Sequence, residues 1–177
     1  MSTGYQIYDQ HGMYYLTFTV VDWVDVFSRK CYRDILIDSL LHCIKNKDLM
    51  VYSYVIMTNH MHIICRSATG KLSDTVRDFK KFTSYKIIDA IKHTSESRRN
   101  WLLHRFEWAA NQNDRNTTYQ VWTHENNSIE ITTNEFYLSK SNYIHLNPVR
   151  AGWVDKIEDY VYSSAHINSL IPITDWQ

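Results

Sequence analysis

Glycine and proline are scarce, at 4 and 2 of 177 residues, which leaves little room for flexible linkers. The three cysteines, Cys31, Cys43 and Cys65, are odd in number and show no CxxC spacing. A disulfide framework or a zinc cluster is therefore a poor fit, and a reducing, cytoplasmic setting is expected. No apolar run approaches a membrane span, and MSTGYQIYDQHG at the N-terminus lacks the apolar core of a signal peptide, so no membrane partner is expected. Net charge is missing too. The 19 Lys/Arg balance 19 Asp/Glu, which argues against a polycation that simply coats nucleic acid.

What the chain does contain is apolar and aromatic bulk, 44% and 14% of residues, enough for one folded domain over 1–177. Its core is expected over about 12–165, with a tail over 166–177. Cys31 and Cys43 lie in a helical pattern and read as small core residues. Charge is unevenly spread. Residues 66–105 hold ten Lys/Arg against four Asp/Glu, and the rest of the chain holds nine against fifteen. A basic stripe can be a phosphate footprint or merely a solvated helix face.

Residues 14–22 alternate as a half-buried strand, with Leu16, Phe18 and Val20 against Thr17 and Thr19. Ser28 is placed to cap a helix over about 29–47. VYSYVIM (51–57) and HMHIIC (60–65) read as a hairpin turned at Thr58-Asn59. A helix follows Ser73, and another covers 97–111. Asn111–Thr118 reads as a polar loop, and TYQVW and SIEIT as short strands. Thr132-x-x-Glu135 offers a capping box for a last helix that should end near Pro148, with Gly152 beyond it. Strands with segregated helices predict an α+β fold with a mainly antiparallel sheet.

The densest chemistry is His60-Met61-His62. On a strand both imidazoles share a face while Met61 points into the core, a spacing that suits two ligands of one divalent metal. Among nine histidines such a pair is not specific by itself. Tyr143 stands out among 13 tyrosines by its context, SNYIHLNPVRAG. On a helix, Asn147 lies four residues on along the same face, and Lys140 three residues before. The face then carries a phenol nucleophile, an amide oxygen and a cation. If it meets the histidine strand, Asn147 completes a His-His-Asn metal site.

Several segments resemble a known family. VIMTNHMHII resembles the HUH motif (His-hydrophobic-His) of single-tyrosine, single-strand transposases. NYIHLNPVRAGWV, followed by EDYVYSSA, resembles the REP-associated tyrosine transposases, as does VWTHENNSIEI. The likeness runs from the first strand to about residue 165. It implies a ferredoxin-like (RRM-like) antiparallel sheet with helices packed on one face and a catalytic helix near the C-terminus. It implies Mg²⁺ or Mn²⁺ as cofactor, and single-stranded DNA with hairpin or inverted-repeat elements as partner. It also implies a tyrosine bonded to a 5′-phosphate, with reversal on another end joining strands without ATP. His60, His62 and Tyr143 match the family positions. Many relatives carry Gln where this chain has Asn147, one methylene shorter. A homodimer that exchanges the tyrosine helix and a monomer both fit the resemblance.

Phosphate contacts are expected from Arg77, Lys80, Lys81, Arg98 and Arg99 on the basic helices and from Lys140 beside the tyrosine. Three other readings compete. A replication initiator or relaxase would need a helicase motif or domain that the 177 residues do not show. A non-catalytic, domesticated module would stack bases on sheet aromatics, with Tyr14, Tyr15, Tyr52 and Tyr54 as candidates. A metal-dependent phosphoesterase would use water and need no tyrosine.

Overall fold

The computed structural model describes residues 6–112 and 118–176. Its elements run β1 (Tyr14–Thr19), α1 (Lys30–Asn46), β2 (Leu49–Ile56), β3 (His60–Ser67), α2 (Leu72–His93), α3 (Arg99–Asn111), β4 (Ile129–Glu130) and α4 (Asn134–Arg150). The sheet order is β2-β3-β1-β4, with β3 antiparallel to β1 and β2 and β4 antiparallel to β1. This is the ferredoxin-like split βαβ arrangement, with α3 added between α2 and β4.

Strand alternation splits the sheet chemically. Leu16 and Phe18 of β1 lie beside Met61, Ile63 and Cys65 of β3, on the face that α1 and α2 cover. Phe18 meets Phe79 of α2 at 5.7 Å between ring centroids. Leu16, Met61 and Ile63 are fully buried, worth about 2 kcal/mol each. The other face carries Tyr15, Thr17 and Thr19, paired in register with Ile64, His62 and His60. The expected one-sided helix layer is that of α1 and α2; α4 crosses the histidine face.

The β2 strand carries a bulge between Val51 and Ser53. Val51 opposes Cys65 on the α1/α2 side, yet Ser53 opposes Ile64 on the histidine side. The extra residue thus turns Ser53 toward α4. There His145 Nε2 lies 3.1 Å from Ser53 Oγ and 2.8 Å from Ser164 Oγ, and Ser141 Oγ donates to Ser53 Oγ at 3.2 Å. This polar seat fixes α4 on the sheet. The outer edge of β2 is covered by the chain's own C-terminal segment. Ile56 N donates to Tyr162 O, Ser164 N to Tyr54 O and Thr174 N to Val51 O, at 2.9, 2.9 and 2.7 Å.

Several local expectations shift. β1 ends at Thr19, and Val20 makes only an isolated bridge to Trp122, the one strand-like feature of TYQVW. Residues 21–23 then turn as a 3₁₀ helix in which Asp22 and Trp23 have φ of 53° and 55°. Arg29, not Ser28, sits at the N-cap of α1 and makes no side-chain cap bond. Its guanidinium is instead drawn 2.9 Å from the Glu96 carboxylate. Thr133, not Thr132, caps α4, its Oγ1 accepting from Phe136 N at 3.2 Å, so Glu135 is one residue too early for a capping box. Pro148 lies inside α4 rather than past its end. In the last turn it removes only the donor to the Ile144 carbonyl, and the helix runs on to Arg150. Gly152, at φ 71°, closes the end by donating to Val149 O at 2.9 Å. SIEIT shrinks to the two residues of β4. Cys43 and Cys65 are buried, but Cys31 is exposed and is not a core residue. The polar loop after Asn111 falls largely at 113–117, outside the described residues. No helix among the described residues is long and apolar enough to cross a membrane.

Candidate active site

His60 and His62 project from the same face of β3, their ring centroids 4.8 Å apart. Asn59 fixes His60. Its amide nitrogen donates to Trp23 O at 3.3 Å, so its Oδ1 accepts, and His60 Nδ1 lies 2.7 Å away as the donor. That tautomer leaves the His60 Nε2 lone pair free. His62 Nδ1 has two hydroxyl neighbours across the β1–β3 ladder, Tyr15 at 2.8 Å and Thr17 at 2.9 Å. With the proton on Nδ1, His62 also offers Nε2. Burial lowers the pKa of both rings, and for His62 the charges of His60 and Lys140 help bring it to about 3. Both imidazoles are therefore neutral at physiological pH, as metal ligands must be.

Tyr143 lies beside His62 from α4. Its ring is 5.6 Å from that of His62 and 6.5 Å from that of Tyr15, edge-on to both. It is 41% exposed, so its phenol is open to a substrate. Tyr15 is the rival by distance, but it is buried with its hydroxyl against His62. Burial pushes its pKa to about 12 despite the Thr17 hydroxyl, so it stays a neutral phenol. Tyr137 sits elsewhere, stacked on Trp176 at 5.2 Å and edge-on to Tyr52.

Two cations lie on the aromatic rings of this site. Lys140 Nζ is 4.9 Å from the Tyr15 ring centroid, and the Arg150 guanidinium is 5.2 Å from that of Tyr143. Arg150 went unread in the sequence, although its place seven residues after Tyr143 puts it on the same face of α4.

The donor set fits a divalent cation in part. Two imidazoles lie 4.8 Å apart between ring centroids, each with its Nδ1 against a hydrogen-bond partner, as in ligating histidines, where the other nitrogen takes the metal. Asn147 donates through Nδ2 to Tyr143 O at 2.8 Å, a bond back onto its own helix that engages the amide nitrogen and not Oδ1. Among the described residues no group of three His, Cys, Asp or Glu could hold a metal, so an Asp or Glu does not complete the set.

The expected phosphate contacts divide. Lys81 is exposed, as is Arg77, though Arg77 is paired with Asp74 at 2.6 Å. Lys80 is turned inward. Its Nζ donates to Thr123 O and Asn126 Oδ1, both at 2.7 Å, and burial lowers its pKa to about 8. It pins the 123–126 segment to α2. Arg98 pairs with Asp25 at 2.7 Å, and Arg99 caps the end of α2 through the carbonyls of Ile91 and Thr94. The base-stacking sheet is ruled out on accessibility, since Tyr14, Tyr15, Tyr52 and Tyr54 are all buried.

A solved REP-associated tyrosine transposase bound to a REP hairpin superposes on the whole chain and on 92% of its own, at a TM-score of 0.67 and 19% identity. The chain has the fold of a REP-associated tyrosine transposase. A candidate transposase of Deinococcus radiodurans R1 aligns over 81% of this chain and 95% of its own, at 14% identity and a TM-score of 0.45, too loosely to add to the fold assignment. No protein-family model and no curated protein matches the chain in sequence.

Proposed function

We propose that the protein cuts and rejoins single-stranded DNA through a tyrosyl phosphodiester, as a transposase acting on hairpin or repeat elements. One observation carries the reading. Tyr143, 41% exposed, packs edge-on against His62, whose ring lies 4.8 Å from that of His60 on the same sheet face, within one chain. The fold, shared with a transposase bound to a DNA hairpin, supports it.

In the cleavage step the Tyr143 oxygen attacks the phosphorus. The bond to the 3′ oxygen breaks, and that oxygen leaves as a free 3′-OH after taking a proton. The phenol proton is lost to solvent, and the 5′-phosphate stays on Tyr143. Attack by a 3′-OH on the tyrosyl phosphate runs the step backwards and joins strands, because the bond energy is retained. Arg150 over the Tyr143 ring and Lys140 over the neighbouring Tyr15 ring would offset the charge of the phosphate. His60, His62 and Asn147 would hold Mg²⁺ or Mn²⁺, which when bound polarises a phosphate oxygen.

Incubation with single-stranded hairpin DNA and Mn²⁺ should give a protein–DNA adduct that survives denaturation. Tyr143→Phe should abolish it with DNA binding nearly unchanged, and His60→Ala should abolish it too. Cleavage by the wild type without an adduct would replace this reading with a phosphoesterase that uses water. An adduct from Tyr143→Phe would move the nucleophile to another tyrosine.

A further inference from the structure

The buried sheet tyrosines leave open where unpaired bases rest, and the exposed tryptophans suggest a place. Trp23, Trp101 and Trp108 are 63%, 49% and 47% exposed. Trp101 and Trp108 are two turns apart on α3, about 10.5 Å along its axis. Arg98 and Arg105 interleave with them, each guanidinium near a tryptophan ring, at 6.0 Å from Trp101 and 5.7 Å from Trp108. Residues 98, 101, 105 and 108 follow the three-four spacing of a single helix face.

This face is joined to the active site. Arg105 pairs with Asp22 at 3.0 Å and Arg98 with Asp25 at 2.7 Å, which clamps the 22–25 turn onto α3. The turn presents Trp23 edge-on to His60, 5.9 Å between ring centroids. It does so at a conformational cost, because two consecutive non-glycine residues hold positive φ. Asn59 secures both sides, accepting from His60 and donating to the Trp23 carbonyl.

We infer that Trp23, Trp101 and Trp108 form a stacking track that carries unpaired bases of single-stranded DNA away from the histidine pair along α3; this rests on the proposed DNA chemistry. Indole faces stack on any base, and guanidinium planes between them extend the surface. The gap between Trp101 and Trp108 spans about three base steps of 3.4 Å. Because Asp22 and Asp25 already pair both arginines, stacking dominates here and phosphate neutralisation is minor.

The test uses hairpins that are blunt or carry an oligothymidine extension on the 5′ or the 3′ side. The wild type should bind one extended form more tightly than the blunt form, with quenching of tryptophan fluorescence. Trp101→Ala and Trp108→Ala should weaken that form about 5- to 100-fold, leave the blunt hairpin unaffected and leave the salt slope unchanged. Trp101→Phe should keep most of the affinity, which separates stacking from misfolding. Equal binding of blunt and extended hairpins by the wild type overturns the track, as do alanine variants that lose no affinity for the extension. So does a change in oligomeric state on Trp101→Ala, which would make this face a contact between copies. Loss of the Tyr143 adduct bears on the strand-transfer reading alone, since the track is measured by binding.

Discussion

The two hydroxyls against His62 Nδ1 allow a quantitative test of how the site holds its imidazole. Tyr15 and Thr17 approach the same nitrogen at 2.8 and 2.9 Å in a buried setting. Tyr15→Phe or Thr17→Val alone leaves one partner in place. One N–H serves one acceptor at a time, so each single should cost less than a full hydrogen bond, under about 1 kcal/mol, and leave the tautomer unchanged. The double variant strands Nδ1 without an acceptor. It loses the bond altogether and leaves a buried donor unsatisfied, about 1–3 kcal/mol, so its loss should exceed the sum of the singles. The proton should then shift to Nε2, where it blocks ligation. Manganese affinity by calorimetry should fall about 10- to 100-fold in the double variant and only a few-fold in each single. Nitrogen-15 shifts of the His62 ring in metal-free protein read the tautomer directly. Strict additivity, or an unchanged tautomer in the double variant, would refute the argument that these hydroxyls set the state of His62.

Two further outcomes follow from paired groups away from the site. Burial alone would raise the pKa of the Glu96 carboxyl, but the Arg98 amide, Arg29 and the Tyr32 hydroxyl outweigh it and hold it below its ordinary value. Its stabilisation is therefore present above the unfolded pKa and lost as pH falls through the folded one, so acid unfolding of Glu96→Gln should show a shallower pH dependence than wild type. Lys80→Ala should lower thermal stability by about 2 kcal/mol through its two lost bonds yet leave the salt slope of DNA binding unchanged, whereas Lys81→Ala should flatten that slope without destabilising the fold. A reduced slope for Lys80→Ala would mean that its ammonium reaches phosphate after all.

Much of this was legible from local pattern. Period-two alternation placed Leu16 and Phe18 on one face of β1 and paired His60 with His62 on one face of β3. Helical spacing gave α1, α2 and α3 within a few residues. Tyr143 was singled out by the residues around it. What could not be read depends on pairing between distant segments. Nothing near His62 in sequence announces Tyr15 or Thr17, which meet it only through the β1–β3 register. Lys80 looks like any lysine on a basic helix until the 123–126 segment folds onto it. Arg98 and Arg99 form a basic pair in sequence, but one is spent on Asp25 and the other on the end of α2. Asp22 reads as the end of the strand over 14–22, because the strain that turns Asp22 and Trp23 is set by partners on β3 and α3.

The closed edge of β2 bears on how the protein depends on its own concentration. Residues 162–164 and 174 occupy the hydrogen-bonding positions that a second copy would need there. The far edge, β4, is only two residues long. Continuous sheet between copies has no purchase at either side, and Tyr143 already lies beside His62 of the same chain. Under the proposed chemistry, a chain acting in cis would cut at a rate first order in the bound complex. Dilution would slow DNA capture but not the reaction that follows, and a chain without Tyr143 mixed with one lacking His60 would not restore activity.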